Sequence, residues 1–245
     1  MKKLKQLYEE FTTLQFNLPD DSNRTFESKK EQIMQLAKAE NLSMAIYDLN
    51  SHEYHFLHGY ESDMSSIQQP CFDLEKFHEL VHAADLRHAL EARIKAFYFR
   101  QKINAGEEKD YMLLFECRLK DCSGKYRRVL HKFLVLEQDD RGEIWLLLLK
   151  LCPVVGEDTE TPPRGVFIVN IHTLEFAVTD SEYGFTPAEM TVLKLLSEGL
   201  GSKQIAKKLH NSPHTINNHR RNILRKTQTA TTERAVMYAR DMGIV

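Results

Sequence analysis

Five consecutive residues, Phe185-Thr186-Pro187-Ala188-Glu189, constrain what this chain can fold into more than any other stretch. Thr186 has the side chain of an N-cap. Pro187 suits the first helical position, where a missing N–H costs nothing, and Glu189 stands where a capping-box carboxylate reaches back to the cap's own N–H. A helix is therefore predicted from residue 187. Met190, Val192, Leu193, Leu195 and Leu196 supply its apolar face, and Gly199 and Gly201 end it. Ser202 is expected to cap a second, short helix over 203–209, with Ile205, Ala206 and Leu209 facing in. Ser212-Pro213 opens a third over 213–227, with Ile216, Ile223 and Leu224 inward, and Thr231 or Thr232 opens a fourth that stops before Gly243. Two short helices joined by a tight turn, the second showing polar residues outward, make a helix-turn-helix.

The charge distribution agrees with that reading. The chain of 245 residues carries a net −2, but from Ser181 onward ten Lys and Arg stand against five Asp and Glu, so this segment carries +5 and the remainder −7. A basic nucleic-acid module attached to an acidic regulatory one has this asymmetry. On the third helix Asn217, Asn218 and Arg221 fall at i, i+1 and i+4 and share one exposed face. Asn pairs bidentately with adenine and Arg with guanine in the major groove.

The stretches FTPAE, VLKLLSEGLGSKQIAKKL, NSPHTINNHRRNILRK and YARDMGIV resemble, in register, the LuxR/GerE/NarL family over residues 185–245. The resemblance implies a sequence-specific DNA-binding transcriptional regulator. It places Asn217, Asn218 and Arg221 against bases and Lys203, His214, Thr215, Arg220 and Arg225 against phosphates. It also implies a homodimer on a two-fold DNA site through Ala235, Val236, Tyr238 and Ala239, and the other reading of these four is that they pack the module's own core. Two positions depart from the family pattern: Thr227 stands where an apolar residue is usual, and Asn217 where a basic one is common.

Upstream, helical patterns over 2–14 and 26–41 precede two short extended runs, SMAIYDL and EYHFLHG. A mostly helical stretch over 62–103 follows, its longest helix opened by Asp85 as cap. Strands are then expected over 111–120, 125–137 and 143–152, split by the turns at 121–124 and 139–142. This order resembles a PAS domain over residues 42–153, and an unrelated α+β domain is the alternative. The polar, Pro-rich stretch 155–164 reads as a linker, and GVFIVNIHTLEFAVTD as a hairpin between domains. The expected fold class is α+β: an N-terminal PAS-like domain of antiparallel sheet with helices, then an all-α four-helix helix-turn-helix domain. The expected divisions are 1–41, 42–155, 156–180 and 181–245.

His78-Glu79-Leu80-Val81-His82 is a literal HExxH, extended by His88, and its zinc-hydrolase reading is the enzymatic alternative. The metzincin pattern requires a Gly where Asp85 stands, so no catalytic residue and no metal site are expected. His52, His55 and His58 alternate along a strand and read as surface residues. The four cysteines (Cys71, Cys117, Cys122, Cys152) form no CxxC pair, which fits a reducing cytoplasm. No apolar run approaches the ~20 residues of a membrane span, and MKKLKQLYEEF lacks the apolar core of a secretory signal. The PAS-like domain is expected to sense a small ligand or a partner, or to serve dimerisation alone. The residues select no particular cofactor.

Overall fold

The first strand, β1 (Ser43–Asp48), shows no apolar–polar alternation because both of its faces are covered. Ala45 and Tyr47 enter the main core with Phe77, Phe115 and Phe133, whereas Ile46 packs with Trp145 and Leu146 against Phe26 of helix α1 (Ser22–Ala39). The computed structural model describes residues 16–58, 71–121, 123–154, 163–179 and 185–245. The helix expected over 2–14 lies outside the described residues. β2 (Glu53–His58) pairs antiparallel with β1, and the short β3 (Cys71–Asp73) pairs antiparallel with β2. Helix α2 (Leu74–Leu80) follows at once. Its cap is Asp73, whose carboxylate accepts from Lys76 N–H at 2.8 Å. Helix α3 (Leu86–Arg100) comes next, burying Ala89, Ala92 and Arg93.

Two turns of one design then set the register of β4 (Tyr111–Lys120), β5 (Tyr126–Gln138) and β6 (Ile144–Pro153). The Asp121 carboxylate accepts from the N–H groups of Ser123 (2.9 Å) and Lys125 (3.0 Å), while Gly124 takes a left-handed φ of +79°. Asp139 does the same for Arg141 (2.9 Å) and Glu143 (2.8 Å), with Gly142 at +81°. The Arg127 guanidinium and the Ser123 hydroxyl hold the Asp121 carboxyl well below the usual carboxylate range. The strands β7 (Phe167–Asn170) and β8 (Phe176–Thr179) complete an eight-stranded sheet ordered β3-β2-β1-β6-β5-β4-β7-β8. Its inner five strands, β2-β1-β6-β5-β4, with α2 and α3 inserted before β4, make the PAS-like arrangement of the N-terminal unit.

Three sequence expectations need correction. The chain divides into units Met1–Val178 and Thr179–Val245, so the hairpin placed between domains belongs to the first unit. β7 extends the sheet in register with β4, Tyr111 opposite Asn170 and Leu114 opposite Phe167. Just before it Arg164, only 1% exposed, donates to Glu116 Oε1 at 2.6 Å, and Arg128 donates to the other carboxylate oxygen at 3.2 Å. A buried triad thus anchors a residue that composition assigned to a linker. Residues 71–73, expected within a helical stretch, form the edge strand β3. Asp85 precedes α3 as its cap residue, but its side chain makes no capping bond. Instead it accepts from the N–H, Nε and Nη2 of Arg118 at 2.8, 2.8 and 2.6 Å, tying the start of α3 to β4.

Candidate nucleic-acid interface

The second unit is built from four capped helices. Helix α4 (Pro187–Ser197) starts with the expected reciprocal box: Thr186 N–H donates to Glu189 Oε2 at 2.8 Å, and Glu189 N–H donates to Thr186 Oγ1 at 3.2 Å. Helix α5 (Ser202–Lys208) is capped one residue earlier than expected, at Gly201, whose N–H donates to Gln204 Oε1 at 2.8 Å. The turn after α5 closes through His210 in a left-handed conformation (φ 51°), with Asn211 N–H donating to the Ala206 carbonyl. Helix α6 (Pro213–Thr227) then starts at Ser212, whose Oγ accepts from Thr215 N–H at 3.0 Å. Helix α7 (Thr232–Met242) starts at Thr231 and ends at Gly243.

Ile216, Ile223 and Thr227 turn α6 onto its neighbours. With 3.6 residues per turn, His214, Asn217, Asn218, Arg221 and Arg225 then line the opposite side. His214, Asn217, Arg221 and Arg225 are exposed and Asn218 is half-buried; Lys203 is exposed on α5. These side chains present amides, a guanidinium and cations along one open face beside a helix N-terminus, a surface of donors suited to an anionic duplex. Thr215 is half-buried, its hydroxyl 2.9 Å from that of Ser212. Thr227, one of the two departures from the family pattern, is fully buried but satisfied, donating to the Ile223 carbonyl at 2.8 Å.

Two assignments made from sequence change here. Arg220, expected at a phosphate, is committed within the module: Nη1 donates to Ser202 Oγ at 2.6 Å and Nη2 to Thr232 Oγ1 at 2.8 Å. It joins the starts of α5 and α7 to α6, which fixes how the turn presents the outer helix. Of the four residues assigned to dimerisation, Ala235 (0% exposed), Tyr238 (4%) and Ala239 (0%) pack the module's own core, so only half-buried Val236 retains a surface. Met237 beside it is 50% exposed.

One buried pair escaped the sequence reading. Lys226 Nζ donates to Glu189 Oε2 at 2.6 Å, both side chains being nearly inaccessible. Burial pushes the Glu189 carboxyl up, but Lys226 and the Thr186 N–H outweigh it and hold the group below its ordinary value. The signal was present: Lys226 lies three residues after Ile223, on the inward side of α6.

The HExxH residues do not assemble. Helix α2 ends at Leu80, Val81 is extended (φ −74°, ψ 136°) and bridges Leu119, and His82 therefore leaves the helix that carries His78. His78 is half-buried, and burial with the nearby Arg93 charge lowers its pKa to about 4. The His82 Nδ1 accepts from Ala84 N–H at 3.2 Å, its ring meets Tyr126 edge-on, and Glu79 pairs with Lys76. The zinc-hydrolase alternative has no support in this arrangement.

Within the first unit, a cavity of about 120 Å³ opens between α3 and the sheet, lined among others by Tyr47, Arg93, Phe99, Tyr111, Phe133 and Leu147. The Arg93 guanidinium lies 5.7–5.8 Å from the ring centroids of Tyr47, Tyr54, Phe77 and Phe133 and donates to the Tyr54 hydroxyl. Deeper in the core, burial and the Arg93 charge depress His131 to about 3, so its ring is neutral, 3.0 Å from the Cys117 sulfur. No helix of the described residues is long and apolar enough to cross a membrane.

The geometry of the second unit defines a helix-turn-helix DNA-binding domain. Residues 184–239 match the family of bacterial regulatory proteins, luxR family (GerE). The unit is thus a LuxR-type domain and the chain a DNA-binding transcriptional regulator. No curated protein matches the sequence. Among solved structures, a phage VqmA–DPO complex is similar at 15% identity over 91% of each chain (TM-score 0.32). A Vibrio cholerae VqmA–ligand–DNA complex is similar at 16% over 87% of each chain (0.27). Escherichia coli SdiA is similar at 14% over 99% of this chain and 98% of its own (0.27). The 184–239 match and the helix geometry carry the DNA-binding conclusion.

Proposed function

We propose that this regulator reads its promoter through Asn217, Asn218 and Arg221 on α6. Lys203, His214, Thr215 and Arg225 neutralise or orient on flanking phosphates. It acts by binding, as a homodimer in the cytoplasm, with Val236 and Met237 of α7 at the two-fold contact. The N-terminal PAS-like unit serves as a one-component sensor, taking a small molecule into the cavity beneath α3. The cavity is of the order that accommodates a single aromatic ring. The observation that carries the DNA reading is the stripe of exposed amide and guanidinium side chains on α6, framed by cations and held rigid by the Arg220 and Lys226 contacts.

Selection of bound sequences from a random duplex library with the full chain tests this reading. Enrichment of a two-fold motif is expected, with affinity falling steeply as salt rises. Binding that shows no sequence enrichment would overturn the base-contact assignment. Small-molecule screening by thermal shift, with cavity-filling Leu147→Phe as the insensitive control, tests the sensor half.

A further inference from the structure

We propose that Glu53, His55 and Cys71 form a binding site for a divalent transition-metal ion of the zinc class. Glu53 and His55 are two residues apart on β2 and so lie on one face of the sheet. Cys71 on β3 is registered directly opposite His55. One carboxylate oxygen, one imidazole nitrogen and the thiol sulfur lie within 4.8 Å of one another, on three half-buried residues. His55 Nε2 stands 3.9 Å from Glu53 Oε2, too far for a hydrogen bond. Ligand atoms around a tetrahedral zinc are roughly 3.4–3.7 Å apart, so a small rotation, chiefly of the more exposed Glu53 side chain, would close the set. The Phe26 ring meets His55 edge-on with centroids 4.8 Å apart, shielding one side of the imidazole and limiting its swing.

The donor set chooses the ion. Thiolate and imidazole favour zinc and its neighbours, whereas magnesium and calcium require oxygen ligands. On binding, Cys71 loses its proton to solvent as the sulfur–metal bond forms. Thiolate and carboxylate then neutralise the divalent charge, with no change of oxidation state. Three protein ligands leave the fourth position to water. The ion would fasten edge strand β3, which leads directly into α2, to β2 and so to the seat of α1. This set is separate from the HExxH residues.

Titrating the metal-free full chain with Co²⁺ tests the site. One equivalent should produce a sulfur-to-cobalt charge-transfer band that Zn²⁺ abolishes by displacement. Cys71→Ser should remove the band, and His55→Ala should weaken binding at least about tenfold, since even outer-shell changes cost that much. His82→Ala should leave it intact. In the unsubstituted protein, saturating Zn²⁺ should protect Cys71 from alkylation, read by peptide mass mapping, so the result does not hinge on how a variant folds. Absence of a one-to-one band, its persistence in Cys71→Ser, or equal alkylation of Cys71 with and without Zn²⁺ would overturn the proposal.

Discussion

Helices α2 and α6 begin alike and end differently. Each starts on a side-chain cap, Asp73 accepting from Lys76 N–H and Ser212 from Thr215 N–H; α2 carries one histidine, His78, among charged residues and α6 carries two, His214 and His219. α2 lasts seven residues, because Val81 turns extended to bridge Leu119, and the second histidine of HExxH is carried off the helix. α6 lasts fifteen, and its helical phase keeps every third or fourth polar residue on the open side. A short motif becomes a site only if the element persists long enough, in the right phase, to bring its members together. For α6 that persistence depends on the buried contact of Lys226 with Glu189 and the part-buried contacts of Arg220 with Ser202 and Thr232.

The largest effect should come from removing that support. Glu189→Ala leaves the Lys226 ammonium buried without its carboxylate and deletes half of the α4 capping box, at an expected cost of about 3–5 kcal/mol. Urea unfolding followed by circular dichroism would measure it. Because the folded Glu189 carboxyl is depressed below its ordinary value, its contribution is fully present above that value and is lost as pH falls through the lower folded one. Glu189→Gln should therefore flatten the acid limb of the stability profile. An unchanged acid limb would mean that the pair does not support α6.

Next in size are the contacts on the open face. Arg221→Ala should cost about 1–3 kcal/mol on the selected site and relax preference at one base pair. Lys203→Ala should weaken all sequences alike and reduce the salt slope by about 1. Anisotropy titrations on the selected and a scrambled duplex would separate them. If both substitutions acted equally on both duplexes, the division of labour between α6 and α5 would be wrong. A smaller gain is expected in the turn itself. His210→Gly removes the left-handed strain of a side chain at φ 51° and should stabilise the protein by up to about 1 kcal/mol.

The features legible in the sequence are those fixed by neighbours in the chain. The caps at Thr186, Ser212 and Thr231 follow from interactions three residues apart, and the bounds of β4–β6 follow from the acid-stapled turns. Illegible were the distant destinations of long side chains. Asp85 satisfies Arg118, Arg164 reaches Glu116, and Arg220 bridges Ser202 and Thr232, each pairing set by the tertiary fold. β7 is legible as a strand but its place in the sheet is not, because the edge it joins is decided by β4, over fifty residues earlier. The set proposed to face bases needs only helical phase to be found: exposed Asn217 and Arg221 and half-buried Asn218 share one side of α6.

The smallest expected effect is also the one that could undo the opening contrast. His82 contributes a single 3.2 Å bond from Ala84 N–H and an edge-on ring contact with Tyr126 at 4.6 Å, in a half-buried position. His82→Ala removes both without exposing a buried charge, so stability should change by no more than about 0.5–1 kcal/mol. DNA affinity should not move. A zinc-bound HExxH would predict the reverse: loss of a chelator-sensitive hydrolysis shared by Glu79→Gln, and a large fall in stability from a lost metal ligand. Side-by-side thermal unfolding, peptide-hydrolysis assays with and without chelator, and DNA titrations on the two variants decide the matter. A hydrolytic activity lost in both variants would show that α2 extends through His82 in solution, and that the break at Val81 is not what separates the two helices.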